Sequence, residues 1–403
     1  MRGTDWHAAR SVAHAAGAAV RAILPPAERV GLADAAWRVL DTGLRALHPL
    51  PHYASSAMDG WVVAGGGPWI LVPARGSGAG LAPGEAAEIV TGGALPPGTT
   101  AVLRREHGRL VPAPAGGDKP PVGALLFAEH DPRPGLDIRP AATESAEGDL
   151  LLAAGTRMTP AALAVAALAG HDRLAVAPDV GVALVLTGDE VVTSGLPGPG
   201  FVRDGFGPVL PHCVRGLGGT VLSATRIGDD RGATLDAIDG AAARRAAVVV
   251  TTGGTGGSSA DHLRPAAAAL GAEILVDGVA MRPGHPALLA RMPDGRILLC
   301  LPGNPLAALV AVATLLEPVL RGAAGRPPSS PRRAASAAAF APLPGRHRVV
   351  PAAWADGAEC ALVPAEHTGS AMMRGLADAD ALLVVPPEGL EAGAPATYLP
   401  LPW

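Results

Sequence analysis

Between residues 179 and 320 the chain alternates runs suited to buried strands with segments suited to helices. DVGVALVLTGDE precedes GPVLPHCVRGLGG, TVLSATRIG precedes RGATLDAIDGAAARR, and AAVVVTTGG precedes SSADHLRPAAAALG. AEILVDGVA and RILLCLPGN then lead into PLAALVAVATLLEPVLRG. Parallel strands need a crossover of a dozen or more residues, and helices of this length supply it. The strand runs are apolar without alternation, which calls for cover on both faces. The pattern predicts a parallel sheet with helices on both sides.

The flanks read differently. Residues 1–50 are expected to be helical before the chain extends towards PLPHYASSAMDGW. From about 55 to 140, short runs such as WVVA, WILVPA, AAEIVTGG and TAVLRRE lie between Gly/Pro turns and predict a small β-rich domain. MTPAALAVAALAG predicts a helix with Thr159 as N-cap, Pro160 at its first position and Gly170 at its end. AAGRPPSSPRRAA (323–335) reads as a polar linker, and the remainder as a small β-barrel or sandwich.

Composition bounds the function. A net charge of −4 gives no general attraction to nucleic acid or anionic lipid, so any anion site must be local. Cys213, Cys300 and Cys360 are widely spaced without a CxxC pair, which suits buried thiols in a reducing compartment. Asp5, Arg10 and Arg21 interrupt the apolar N-terminus, as in an amphipathic helix rather than a signal peptide. The apolar stretch 297–320 is broken by PGNP and contains Glu317, which fits strand, turn and helix better than a membrane span. The expectation is a cytoplasmic protein with no membrane and no nucleic-acid partner.

In an open parallel sheet, ligands bind where strands end and loops enter helices. Three such loops are TGDE (187–190), TTGGTGGSSAD (251–261) and LPGNP (301–305). Glycines let backbone N–H groups approach a phosphate, but the second loop has neither the P-loop lysine nor GxGxxG spacing. By itself it suits a phosphate cradle or a structural turn. Asp189, Glu190 and Asp261 offer the oxygen ligands Mg²⁺ takes, or are solvated caps. VAMRPGHPALLA places Arg282 and His285 about a Pro-Gly turn, and SSAMDGW carries one acid, Asp59.

Taken in order, SAMDGW, EIVTGGALPPGT, DIRPAATESAEGDLLLAAGT, LTGDEVV, TTGG with SADH, RPGHP and LPGNP resemble the molybdopterin molybdenumtransferase family, MoeA-like and including the gephyrin E domain. The resemblance covers roughly residues 30–400. It implies an α/β multidomain fold with a central molybdopterin-binding α/β domain at 176–325. Around it stand a helical N-terminal domain (1–50 with 141–175), a β-rich insert (51–140) and a C-terminal β-barrel (326–403). It further implies a homodimer that takes adenylylated molybdopterin and molybdate, releases AMP with Mg²⁺, and leaves molybdenum on the dithiolene. A molybdopterin adenylyltransferase and recipient molybdoenzymes are the implied protein partners.

Carried over by position, Asp59, Glu190 and Asp261 are the implied catalytic and metal-binding acids. Thr91, Glu144 and the loop residues Gly253, Gly254, Thr255, Gly256 and Ser258 bind substrate, as do Pro302, Gly303, Asn304 and Pro305. Arg282, His285 and Arg348 attract the anions. TTGGTGG also resembles the loop of related molybdopterin adenylyltransferases, so the phosphate-cradle reading gains from two sides.

The departures gather where the family handles molybdate. KPGKP is here RPGHP, PGNPVS has Ala307 for its serine, GGVSxG has Gly256, and DSN is DGF (204–206). Each lost charge-assisted contact costs about 1.5–3 kcal/mol. The sequence therefore carries two further readings beside the enzyme. One is a catalytically degenerate paralogue that carries or scaffolds the cofactor; the other is a nucleotide pyrophosphatase-like relative, against which SAMDG and LPGNP argue.

Overall fold

The computed structural model describes residues 3–73, 79–111, 122–254, 262–355 and 361–401. They divide into two compact units, one of residues 1–42, 154–158 and 174–403, the other of residues 43–153 and 159–173.

The larger unit is built on the expected α/β sheet. Its described strands run in the order Gly219–Arg226, Val180–Leu186, Val248–Thr252, Ile297–Leu301, Leu288–Arg291, Glu273–Asp277. The first four are mutually parallel; the last two join antiparallel. The parallel sheet expected from the sequence is present, and an antiparallel pair adds to its edge. Strand period 2 divides the core in two. Val182, Leu184, Val248, Val250, Ile297 and Leu299 pack into one buried cluster. Ala183, Val185, Val249, Leu298 and Cys300 pack into another on the opposite face.

The helix that follows the PGNP turn runs from Pro305 to Ala323, with a π-helical turn at Val312–Leu316. Pro318 lacks the N–H that an α-helical ladder needs, and a local change of helix type accommodates it. The helix is long and apolar enough to cross a membrane, yet 89% of its most apolar stretch is buried within the protein. It is a core helix.

The helical part of residues 1–50 is shorter than expected. It comprises Trp6–Val20 and 3-10 turns at Arg21–Ile23 and Ala33–Ala35. Asp5 caps the first helix by accepting the backbone N–H groups of His7 and Ala8 at 2.9 and 3.1 Å. This helix packs on Glu317–Ala323, so it belongs to the α/β core. A Cβ on Gly17 would lie 2.0 Å from the Val319 carbonyl oxygen. Only glycine permits that approach.

Beyond the linker, His347–Trp354, Ala361–Pro364, Arg332–Ser336, Pro395–Pro400 and Ala381–Val385 pair in turn, and the last closes on the first. Of the barrel and the sandwich, the closed barrel forms. Met281–Arg282, from the α/β region, pairs in parallel with His347–Arg348 and extends it.

The smaller unit carries a described sheet in the order Ala101–Arg104, Gly60–Val63, Glu85–Ile89, Trp69–Leu71, Leu125–Ala128, Gly108–Val111. Trp61, Trp69, Leu103 and Leu126 fill one side and Val62, Ala87 and Val102 the other. Its helix Pro160–Leu168 begins as the sequence indicates, with the Thr159 hydroxyl accepting from Ala162 N–H at 3.3 Å. Gly170 follows the helix at φ 93°.

Candidate functional site

The three loops named from the sequence meet at the carboxyl ends of the parallel strands. Gly253 has φ 73° and Gly254 φ 60°, a region that glycine enters without steric cost. The turn is also tight against its neighbours: a Cβ on Gly253 would lie 2.7 Å from the Thr187 hydroxyl. The Thr187 hydroxyl donates to the Thr252 carbonyl, and Gly253 N–H donates to the Leu301 carbonyl at 3.0 Å. TGDE is thus tied to TTGG by a hydroxyl bond, and TTGG to LPGNP by a backbone bond.

A cavity of about 650 Å³ opens over this junction. Glu190, Gly253, Gly254, Pro302, Gly303, Asn304 and Pro305, all named from the sequence, line it. Thr255, Gly256, Ser258 and Asp261 lie outside the described residues, so the cradle is seen only to Gly254.

Three charged lining residues were missed from the sequence, Arg203, Arg226 and Asp229, and they stand with Asp204 of the DGF segment already named there. Arg226 ends a parallel strand and Asp229 follows it, so the strand-end rule that selected TGDE also points to them. Asp204 fixes its own loop by accepting from Phe206 and Gly207 N–H at 3.0 and 2.9 Å, and from Arg226. Burial raises its pKa, but these donors outweigh burial and hold the carboxyl below its ordinary range. The DGF segment is therefore an anchored turn carrying an arginine pair.

A second compartment, of about 330 Å³, adjoins the first and shares Pro286, Pro302 and Asn304 with it. Arg282, His285 and Arg346 line it, with Ala307, Thr368 and Ser370. His285 Nδ1 bonds the Val279 carbonyl at 2.7 Å, which makes Nδ1 the donor and leaves Nε2 as the second ring contact. Asn304 stands at the N-cap of its helix but makes no side-chain cap bond, and it borders both compartments. Ala307 lacks the family's hydroxyl, while Thr368 and Ser370 bring hydroxyls to the same space.

Arg348, the C-terminal-domain cation named from the sequence, does not line either compartment. Its guanidinium stacks over Phe340, 5.8 Å from the ring centroid. Arg346, two residues earlier, lines the second compartment instead.

Asp59, Thr91 and Glu144 belong to the smaller unit. Asp59 Oδ1 accepts the backbone N–H of Thr91 at 2.7 Å and its hydroxyl at 3.0 Å. The backbone bond first, then the hydroxyl, holds the Asp59 carboxyl below the usual range. A carboxylate so held is a weak proton acceptor at neutral pH, and is better suited to orienting water or binding a cation. Glu144 is exposed, in a turn whose N–H bonds the Leu50 carbonyl at 2.9 Å.

Among the described residues no three His, Cys, Asp or Glu side chains cluster tightly enough to form a metal cage. Glu190 and Asp229 are the carboxylates that line the larger cavity beside Asp204, which Arg226 occupies. One or two hard oxygen ligands are what Mg²⁺ takes from a protein when substrate phosphates supply others. Cys213 and Cys300 are both buried, and burial pushes each thiol up to about 11. Both are inert, while Cys360 lies outside the described residues.

Comparison with known proteins matches this architecture segment by segment. Residues 8–170 match "MoeA N-terminal region (domain I and II)", 183–322 "Probable molybdopterin binding domain", and 333–401 "MoeA C-terminal region (domain IV)". "Molybdopterin molybdenumtransferase 2" of Mycobacterium tuberculosis is 31% identical over 395 residues, covering 91% of this chain and 92% of its own length. "Molybdopterin molybdenumtransferase" of Nostoc sp. is 31% identical over 315 residues, covering 74% of this chain and 70% of its own. The solved structure of a molybdopterin biosynthesis moeA protein from Pyrococcus horikoshii OT3 superposes with a TM-score of 0.78 at 16% identity, covering 98% of this chain and 99% of that one. That likeness shows the fold, and the sequence identity over nearly the whole chain shows the lineage: this chain belongs to the molybdopterin molybdenumtransferase (MoeA) family.

Proposed function

We propose that this protein is an enzyme of molybdenum cofactor biosynthesis that inserts molybdenum from molybdate into adenylylated molybdopterin and releases AMP. The observation that carries this reading is the pair of adjoining compartments sharing Asn304. The larger suits a pterin phosphate and its adenylyl anhydride, with the glycine turn for backbone contact and Arg203 and Arg226 for charge. The smaller suits a compact tetrahedral dianion, with Arg282 and Arg346 as cations, Thr368 and Ser370 as hydroxyl donors and the His285 ring in the same wall. Molybdate held there would lie beside the pterin rather than in its phosphate site.

Water attacks the adenylyl phosphorus, the bond to the pterin phosphate oxygen breaks, and AMP leaves. Glu190 and Asp229 would hold Mg²⁺, and the family resemblance adds Asp261 as a further metal-binding acid. Held there, Mg²⁺ would supply positive charge against the anhydride phosphates. The family resemblance gives Asp59 a catalytic and metal-binding role and Glu144 a substrate-binding one, and the two bonds from Thr91 favour the ionised form of Asp59. Homodimerisation, a cytoplasmic location and exchange with an adenylyltransferase or recipient molybdoenzymes belong to the same proposal and rest on the family resemblance.

The test is AMP release from adenylylated molybdopterin by the purified protein with Mg²⁺, with and without molybdate. Molybdate-dependent release supports the enzyme. Tight pterin binding without release would replace it by a carrier.

A further inference from the structure

Away from the loops, a cavity of about 330 Å³ is lined by Arg10, Glu317, Arg321, Ser329, Ser330 and Arg332, none of which borders the two compartments above. Three parts of the chain meet there: the N-terminal helix, the helix Glu317–Ala323, and the linker with the first barrel strand. Arg10 is the buried member, with a side chain only 8% exposed. It donates to the Ala313 carbonyl at 2.6 Å, to Glu317 Oε2 at 3.1 Å and to the Ser329 hydroxyl at 2.6 Å.

Glu317 is the one carboxylate among the lining residues. Its Oε2 is taken by Arg10 and by the Ser329 hydroxyl at 3.0 Å, and its Oε1 stands 3.7 Å from Arg321. Glu317 balances only one of the three guanidinium charges, so two positive charges are in excess, and Arg321 also donates through Nε to the Pro327 carbonyl at 2.5 Å. Among the described residues no carboxylate ion-pairs with Arg332. The excess extends beyond the cavity wall. Burial, then repulsion from Arg321 and Arg157, pushes Arg326 down to about 10, and Arg157 Nε is buried without a partner.

We propose that this pocket binds a phosphate-class anion, inorganic phosphate or a small phosphomonoester, between Arg321 and Arg332 with the Ser330 hydroxyl as a further donor. Two guanidinium forks from different elements and a nearby hydroxyl suit the several acceptor oxygens of a tetrahedral dianion. The volume accommodates a phosphate with a short ester, and is too small for a dinucleotide. Such an anion joins the core helix to the barrel strand, so it stabilises the fold by mass action.

The test is calorimetric titration of the full chain with inorganic phosphate, at ionic strength held constant with chloride. Wild type, Arg332→Ala, Arg332→Lys and Arg346→Ala are compared, after confirming equal Tm in chloride alone. The expected result is saturable binding that Arg332→Ala weakens at least about tenfold, Arg332→Lys partly restores and Arg346→Ala leaves in place. Phosphate should also raise the Tm of Arg346→Ala, and the double variant Arg332→Ala/Arg346→Ala should lose that rise. Replacing phosphate by glycerol phosphate separates the two sources: tighter binding that Arg332→Ala weakens identifies a small phosphomonoester, weaker binding the free anion. No saturable binding, or binding indifferent to Arg332 and lost with Arg346, overturns the proposal.

Discussion

Thr91 donates twice to a single oxygen of Asp59, through its backbone N–H at 2.7 Å and its hydroxyl at 3.0 Å. The two residues are 32 positions apart in sequence, so the sheet of the smaller unit places them together. The acid and the threonine that the family pattern names separately are one hydrogen-bonded device.

Thr91→Val removes the hydroxyl and keeps the backbone donor. The Asp59 carboxyl then moves up towards its ordinary pKa, and the acidic limb of the AMP-release profile moves up in pH with it. A carbon-13 titration of the aspartate carboxyls reads the first change directly. An unchanged Asp59 titration would show that the hydroxyl contributes nothing to its ionisation.

Arg346→Ala should raise the KM for molybdate by about ten- to a hundredfold, the loss of one charge-assisted contact. Arg348→Ala should leave it close to wild type, because that guanidinium lies on Phe340. Steady-state AMP release at varied molybdate checks both. Equal effects from the two substitutions would contradict the assignment.

His285→Lys puts an ammonium, charged across the neutral range, where the imidazole now bonds the Val279 carbonyl. Tighter molybdate binding is expected, read by equilibrium dialysis at pH 7.5. Weaker binding would mean that ring placement matters more than charge.

Asp204 has a folded pKa below its unfolded value near 3.9. Its contribution to stability is therefore present above about pH 4 and disappears as pH falls through the folded value. Asp204→Asn should lower Tm at pH 6, and the gap to wild type should close as pH falls to about 2. A gap constant across that range would remove the ionised form from the explanation.

Gly17→Ala drives a methyl group against the Val319 carbonyl oxygen, 2.0 Å away before relaxation. Overpacking of this kind costs about 1–3 kcal/mol, measurable as a lower denaturant midpoint. A midpoint like that of wild type would show that the helices separate without cost.

Apolar runs such as VGVALVL and RILLCL carry their own signal, since both parities are hydrophobic and each faces a core. Strand direction has no such signal. Leu288–Ala290 is as apolar as the parallel strands of the same sheet, and its antiparallel pairing with Ile297–Leu301 follows from the short connection. The glycine turn and LPGNP were legible because backbone demands restrict residue type. Arg346 was not, because GRHRVV offers two arginines of the same strand parity. The choice between them depends on pairing with Met281–Arg282, a partner more than sixty residues away.

That pairing also limits how the gene can drift. Arg346 precedes buried His347, which is level with Met281. Inserting or deleting one codon in the preceding turn would bring His347 to the anion compartment and turn Arg346 inward. Changes of two residues would preserve the face. Lineages that keep the activity should therefore vary the length of this connection in even steps, whatever happens to its composition.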